Sequence, residues 1–156
     1  MPQLNDFEIG LLVGLLEGEG TITIQRMNKG YYPRIVISNT DTDLIELSHS
    51  LLGKLMESRH KVYRHYSSKA ERLKGWKPSW VVRVTSMKDI LLVLEFLENY
   101  LVSSKKRELC KLVLEFCRSR LAKTQGRKRG LWTAKDFSSR ELEIISRVRL
   151  LNKKGL

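Results

Sequence analysis

Residues 7–20 read FEIGLLVGLLEGEG, and wound as a helix this stretch is apolar on nearly every side. A helix of that kind must be buried on all sides. Three glycines at four-residue spacing, Gly10, Gly14 and Gly18, form a strip without side chains along which another backbone can approach closely. We therefore expect the helix to lie between its own domain and a second copy of the chain, with these glycines and Val13 in the interface.

Two acidic residues, Glu17 and Glu19, stand at the C-terminal end of this helix, where the helix dipole favours cations. In one interpretation, Gly18 and Gly20 end the helix and both carboxylates are solvated. In the other, the carboxylates of two copies face each other across a dimer axis and share divalent cations, for which Mg²⁺ is suited because it prefers oxygen ligands. The pattern leaves both interpretations open.

The composition indicates a polyanionic partner. The chain carries 29 Lys and Arg against 17 Asp and Glu, a net charge of +12. No helix pairs a basic face with an exposed apolar one, which favours nucleic acid over a membrane surface. The N-terminus has no basic segment, and no apolar run reaches the length of a membrane span. We therefore expect no signal peptide and an intracellular protein, in the cytoplasm, the nucleoid or an organelle matrix.

Hydrophobic periodicity divides the rest of the chain into further elements. Alternation predicts four strands, at Thr21–Met27, Tyr31–Ser38, Lys61–Ser67 and Trp80–Thr85. Helical spacing predicts helices that begin at about residues 6, 44, 87, 104 and 138 and end at about residues 20, 52, 100, 120 and 152. Capping boxes at Asn5 with Glu8 and at Ser138 with Glu141 support the first and last of these helices.

The element order predicts a single α+β domain over residues 1–156. It corresponds to an α-β-β-α-β-β-α saddle with a four-stranded antiparallel sheet, helices on one face and extra C-terminal helices. The predicted core covers about residues 5–121, a basic connector about 119–132, and the C-terminal helix about 138–152. The uncovered face of the sheet is expected to be polar and basic.

Residues 12–20, LVGLLEGEG, resemble the nine-residue LAGLIDADG motif, with Glu at both acidic positions. In the homing endonucleases named after this motif, it ends a helix that packs against its counterpart, and the second acidic residue binds the catalytic metal. The predicted element order from about Asn5 to Leu121 is also similar to that of the family. The resemblance implies a single-motif, homodimeric LAGLIDADG homing endonuclease.

The resemblance also implies roles for individual residues. Glu19 and the backbone carbonyl of Gly18 would bind Mg²⁺ or Mn²⁺, and Glu17 would support the helix end. The polar residue that orders the attacking water in the family matches Asn39. The other interpretation of Asn39 is that it caps the helix that follows.

A basic residue near the start of the helix at residue 104 completes the active site of the family. Lys106 is the best match and Lys105 the alternative, and either could instead contact phosphate or solvent. Some members place a basic residue one turn after the position of Asn39, where this chain has Asp43. The resemblance therefore implies that fewer basic residues surround the active site here, or that residues at other positions supply the positive charge.

Outward side chains of a twisted two-stranded ribbon can enter the DNA major groove, where Gln suits adenine and Arg suits guanine. Basic loop residues contact phosphates, which position the protein without specifying sequence. The predicted DNA-binding residues are Thr23, Gln25, Lys29, Tyr32, Arg34, Arg64, Tyr66, Lys69, Arg72, Lys74, Lys77 and Arg83. The phase of the third strand is open, and the other phase replaces Arg64 and Tyr66 by Tyr63 and His65.

These observations together predict an intron-homing endonuclease that makes a double-strand break in a long pseudo-palindromic DNA target. The cut would use metal-dependent phosphodiester hydrolysis and leave 3′ overhangs, as the resemblance implies. One motif per chain requires a homodimer, because a double-strand cut needs two acidic sites. Two alternatives are an RNA maturase that assists intron splicing and a sequence-specific DNA-binding protein without catalysis.

Overall fold

The computed structural model describes residues 4–28, 30–57, 62–65, 74–75, 78–124 and 136–153. Within these ranges lie five α-helices: α1 (Asp6–Glu19), α2 (Thr42–Gly53), α3 (Met87–Leu97), α4 (Ser104–Thr124) and α5 (Ser139–Leu151). The strands are β1 (Gly20–Met27), β2 (Gly30–Asn39), β3 (Val62–His65) and β4 (Ser79–Val84). The predicted α+β class with an antiparallel sheet is confirmed.

The strands form one antiparallel sheet in the order β1-β2-β4-β3. Alternation in β1 and β2 follows the prediction: Ile22 and Ile24 are buried, and their partner face in β2 carries Ile35 and Ile37, also buried. These isoleucines join the hydrophobic core with helix residues, so the helices cover this face. The saddle curvature of the sheet stays a prediction.

Helix α1 begins and ends as the sequence predicts. Asn5 accepts a hydrogen bond from Glu8 N–H, and Glu8 accepts one from Asn5 N–H, which completes the capping box. Within the chain, only Leu12 and Leu16 of this apolar helix are fully buried. Phe7 is 74% exposed. One side of α1 is therefore left uncovered by the chain itself.

The N-termini of α2 and α3 are closed in different ways. Asp41, and not Asn39, is the N-cap of α2, since its side chain accepts hydrogen bonds from two N–H groups of the first turn. Ser86 occupies the N-cap position of α3 without a side-chain hydrogen bond. Asp89 in the first turn of α3 is buried and accepts a hydrogen bond from Glu57 N–H at 3.0 Å. Helix α3 ends at Leu97, short of the predicted Tyr100.

The predicted basic connector is wrong over residues 119–124, because α4 continues to Thr124. Arg120 in this stretch is only 3% exposed and pairs with Glu141 of α5, at 3.2 Å between Nη1 and Oε2. A sequence rich in Arg, Lys and Gly suggests a solvated linker, but the buried carboxylate gives these charges a partner inside the fold. The remainder of the predicted connector lies outside the described residues.

Helix α5 packs against α4 and β1 and contributes Ile144, Ile145 and Val148 to the core. Its Ser138–Glu141 capping box forms as predicted. At its other end, Asn152 donates a hydrogen bond of 2.9 Å to the carbonyl of Ile22 in β1. The core thus extends beyond residue 121. Among the residues that the structure describes, no helix is long and apolar enough to cross a membrane.

Candidate active site

Gly20 joins α1 to β1 at a point where there is no space for a side chain. Its N–H donates to Leu16 O and closes the helix. A Cβ at position 20 would lie 2.5 Å from Leu16 Cδ1 and 2.6 Å from Leu16 O. The backbone is extended here, so the requirement for glycine is steric. The close turn from helix to strand therefore requires glycine at the last position of the motif.

Gly20→Ala is expected to lower the free energy of unfolding by about 1–3 kcal/mol, because the added methyl overlaps the backbone oxygen of Leu16. Chemical denaturation measures this loss. Gly18→Ala is the matched control, since a Cβ at position 18 meets nothing within 4 Å and Ala favours a helix. Equal destabilisation by both substitutions would contradict the steric explanation.

Glu19, the last residue of α1, is exposed beside this turn. The end of an α-helix also leaves the carbonyl groups of its last turn without intrahelical partners, and Gly18 belongs to that turn. A carboxylate and a backbone carbonyl are the hard oxygen donors that Mg²⁺ and Mn²⁺ take. The donors therefore fit such an ion in kind, but within the described ranges no group of three or more His, Cys, Asp or Glu converges on one point.

The Glu17 carboxylate contacts the backbone of the segment that precedes α4. Its Oε1 accepts hydrogen bonds from Val102 N–H at 2.7 Å and Ser103 N–H at 3.1 Å. Burial tends to raise the pKa of Glu17, but hydrogen bonds from the Ser103 side chain and from these two N–H groups, with the charge of Lys106, lower it overall. Glu17 is an ionised acceptor that ties α1 to the segment before α4.

Lys106 extends from the first turn of α4 to the motif, where its Nζ donates to the carbonyl of Gly20. Its side chain is half-buried, whereas Lys105 is exposed. Burial lowers the pKa of Lys106, the Glu17 carboxylate opposes this shift, and the Lys105 charge adds to it. Of the two candidate lysines, Lys106 is the one that reaches the end of α1.

Asn39 ends β2 next to this site. Gly20 pairs with Ile37, so Ser38 and Asn39 extend past the start of β1 alongside the end of α1. The Asn39 Oδ1 accepts a hydrogen bond of 2.8 Å from Asp41 N–H. Asn39 thus helps to form the turn before α2, which is the structural role that the sequence left open for it. The N-cap of α2 itself is Asp41. Asp43 is exposed in the first turn of α2.

The glycine strip of α1 is open, as an interface would require. A Cβ at Gly10, Gly14 or Gly18 would meet nothing within 4 Å, and all three residues are exposed. Val13 is partly buried and packs against the core. The strip and the exposed Phe7 leave part of α1 without a covering layer from this chain.

The face of the sheet opposite the helices carries polar and basic side chains from β1, β2 and β4. Thr23 pairs with Arg34, Gln25 with Tyr32, and Val36 with Arg83. Burial, and then the like charge of Arg83, lower the pKa of Arg34. The two guanidinium groups are therefore close enough to repel, which makes this face attractive to an anion.

The register of β3 favours the phase that the sequence left as the alternative. Position 62 pairs with Val82 and position 64 with Trp80, which both contact the core. Positions 63 and 65 then fall on the open face, because directly paired residues of antiparallel strands share a face. Lys74 is exposed. Five predicted contact residues lie outside the described ranges: Lys29, Tyr66, Lys69, Arg72 and Lys77.

Val102 and Ser103 were missed in the sequence, although they complete the surroundings of Glu17. Ser103 Oγ accepts a hydrogen bond of 3.2 Å from Lys106 N–H, the arrangement of an N-cap serine. A serine just before a helical pattern is the available signal for that cap. Its link to Glu17 has no sequence signal, since the two residues are 86 positions apart.

A family model described as LAGLIDADG endonuclease matches residues 12–115, two thirds of the chain. Comparison with curated proteins gives no match. Among solved structures, the archaeal intron-encoded homing endonuclease I-Vdi141I complexed with DNA is similar, with a TM-score of 0.68 and 16% identity over 97% of this chain and 87% of that one.

Two further structures have the same fold. The homing endonuclease I-CvuI in complex with its target gives a TM-score of 0.65 and 20% identity, over 96% of this chain and 84% of that one. The group I intron-encoded homing endonuclease I-CeuI complexed with DNA gives a TM-score of 0.66 and 15% identity, over 99% of this chain and 70% of that one. At these identities the likeness establishes the fold.

Proposed function

Since the chain belongs to the LAGLIDADG endonuclease family, we propose that it is a homodimeric homing endonuclease. It makes a double-strand break in a long pseudo-palindromic DNA target by metal-dependent phosphodiester hydrolysis and leaves 3′ overhangs. The observation that carries this proposal is the approach of the half-buried Lys106 ammonium to the Gly20 carbonyl, next to the exposed carboxylate of Glu19. A cation and an acid at the same helix end are the minimal groups for phosphoryl chemistry. Intron homing is the proposed biological setting, since two of the similar structures are of intron-encoded enzymes.

In this proposal Glu19 and the Gly18 carbonyl hold the divalent cation, with phosphate oxygens and the second copy supplying other ligands. When bound, Mg²⁺ or Mn²⁺ supplies a Lewis acid and lowers the pKa of a coordinated water. Glu17 supports the helix end, because its Oε1 accepts from two backbone N–H groups.

The chain's own residues complete the chemistry around the scissile phosphate. The Lys106 ammonium offsets negative charge that develops on the phosphate and leaving oxygen, and its burial strengthens this effect because less water screens it. Asn39 uses its Oδ1 for the Asp41 N–H. Its two amide N–H donors are therefore the groups with which it orders the attacking water.

The proposed dimer forms along the glycine strip of α1, where Gly10, Gly14 and Gly18 allow two helices to approach closely. A twofold axis there brings the two copies of Glu19 towards each other at the ends of the paired helices. Their like charges at close range then need protons or divalent cations between them. Twofold symmetry also matches a pseudo-palindromic target.

The proposed DNA-binding surface is the open face of the sheet with its flanking loops. Thr23, Gln25, Tyr32, Arg34 and Arg83 are the described residues that read bases or contact phosphates there. The repulsion between the two guanidinium groups falls when a phosphate or a guanine edge lies between them, which favours the bound state. Lys74 adds a phosphate contact beside this face.

Selection of cleaved molecules from a randomised DNA pool tests the proposal. The protein is incubated with the pool in Mg²⁺ and, in parallel, in EDTA, and the ends produced are sequenced. We expect discrete double-strand cuts with 3′ overhangs in one symmetric family of sites, and only with metal. Specific binding without any cut would instead indicate a DNA-binding protein without catalysis, and preferential binding to structured intron RNA would indicate a maturase.

Gly14→Leu is expected to convert the protein to a monomer, because a branched side chain at the middle of the glycine strip keeps two helices apart. Within one chain a Cβ at position 14 meets nothing within 4 Å, so the monomer should remain folded. Sedimentation velocity measures the oligomeric state, with Gly53→Leu at the exposed last residue of α2 as the matched control. A Gly14→Leu protein that remains dimeric would place the interface elsewhere.

A further inference from the structure

The end of α1 is connected to the start of α4 by a closed series of hydrogen bonds. Glu17 accepts hydrogen bonds from the backbone N–H groups of Val102 and Ser103. The Ser103 hydroxyl oxygen accepts one from Lys106 N–H at 3.2 Å. The Lys106 ammonium then returns to the motif at the carbonyl of Gly20.

This series holds the backbone on both sides of Glu19. Glu17 lies two residues before it and Gly20 one residue after it, and both are fixed to the same turn of α4. Glu19 itself is exposed at the helix end, so its own contacts do not determine its position. A residue whose N–H donates to one partner and whose hydroxyl accepts from another can set their separation, because both bonds are short and directional.

We propose that Ser103 is a positioning residue of the nuclease, whose N–H and hydroxyl together link Glu17 to Lys106 and thereby fix where the Glu19 carboxylate and the Lys106 ammonium meet the scissile phosphate. This inference rests on the proposed function and assigns a role to a residue outside the motif. Displacement of a reacting group by about 1 Å costs on the order of a hundredfold in rate, so a residue that sets position has a measurable effect.

Ser103→Gly is the informative substitution, because Gly serves as an N-cap at a cost of only a few tenths of a kcal/mol relative to Ser, yet removes the hydroxyl. We expect the cleavage rate at saturating Mg²⁺ to fall about tenfold or more, and the Ca²⁺ affinity of the DNA complex, measured by calorimetry, to fall severalfold. DNA affinity in EDTA should stay within about twofold of the unmodified protein. Ser103→Thr, which keeps the hydroxyl, should restore cleavage.

Ser104→Gly is the matched control, since it makes the same change one residue later at an exposed position of the same helix turn. If Ser103→Gly cleaves and binds Ca²⁺ as Ser104→Gly does, the positioning role is overturned. If it loses DNA affinity and thermal stability together with cleavage, Ser103 is only structural and the proposal fails.

Hydrogen exchange separates this inference from the proposed function. In the free protein, Ser103→Gly should speed amide exchange across residues 17–21 relative to Ser104→Gly, whether or not the protein cuts DNA. A protein without nuclease activity that shows this difference would refute the proposed function and leave the positioning series intact. Equal exchange in the two variants would overturn the positioning series even in an active nuclease.

Discussion

Glu19→Gln should abolish cleavage, with a fall in rate on the order of a thousandfold or more, and leave DNA affinity in EDTA nearly unchanged. The substitution keeps the size of the side chain and removes the negative charge that a divalent cation requires. The Glu19 side chain is exposed and makes no hydrogen bond to the rest of the described chain, so the fold should not respond. Single-turnover cleavage of the selected target and gel-shift binding in EDTA measure the two quantities.

Glu17→Gln is the matched control for this result, because it removes the same charge from the same helix end two residues earlier. Its amide oxygen can still accept from Val102 and Ser103, so we expect a smaller loss of cleavage and a modest loss of stability. A Glu19→Gln protein that cuts at the normal rate would remove Glu19 from the site. Equal losses from both substitutions would show that the two carboxylates do not have separate roles.

Local signals in the sequence predicted the parts of the fold that local chemistry determines. Both capping boxes formed, because Asn5 and Ser138 satisfy N–H groups within three residues of themselves. The faces of β1 and β2 followed from period-two alternation, since one face must be apolar to meet the helices. The motif at residues 12–20 then indicated the family, and the match to the family model confirmed it.

Long-range pairing explains what the sequence could not predict. The choice between Lys105 and Lys106 depends on how α4 is rotated against α1, and the rotation depends on packing across the core. Similarly, Arg120 reads as part of a basic linker until its distant partner Glu141 is known. The phase of β3 depends on its register with β4, because a one-residue shift exchanges the two faces.

The apolar character of α1 illustrates a different limit. A helix that is apolar on nearly every side indicates burial but does not identify the covering partner. Within the chain only Leu12 and Leu16 are fully covered, and the glycine strip faces outward. The sequence therefore predicted correctly that the domain alone leaves part of this helix uncovered, and the second copy stays a prediction until sedimentation tests it.

The buried carboxylate of Glu141 holds the end of α4 against the start of α5. Its Oε2 lies 3.2 Å from Arg120 Nη1, and its Oε1 accepts from Lys123 Nζ and from Ser138 N–H. The side chains of Arg120 and Glu141 are only 4% and 1% exposed. Arg120 also donates to the carbonyl of Asp136 at 3.0 Å and stacks over Phe137. The guanidinium is therefore fixed in place whether or not the carboxylate is charged.

Glu141→Gln should lower the free energy of unfolding at pH 7 by about 3–5 kcal/mol, because it leaves the buried Arg120 charge without its counter-ion. That loss is a large part of the roughly 5–15 kcal/mol by which a domain is stable. Glu115→Gln is the matched control, since Glu115 pairs with Arg140 on the exposed side of the same two helices. Such exposed pairs contribute little, so the control should unfold nearly as the unmodified protein does.

The pH dependence of stability gives a second, independent measurement of Glu141. Burial tends to raise its pKa, but hydrogen bonds from Lys123 and Ser138, together with the Arg120 charge, lower it overall. A carboxyl whose pKa is lower in the folded state stabilises the protein above the ordinary glutamate pKa, and this contribution disappears as the pH falls through the lowered value. Denaturation between pH 7 and pH 3 should therefore show a smaller loss of stability for Glu141→Gln than for Glu115→Gln. Parallel curves, or equal destabilisation at pH 7, would mean that the Glu141 carboxylate does not hold the two helices together, and that α5 is retained by its apolar residues alone.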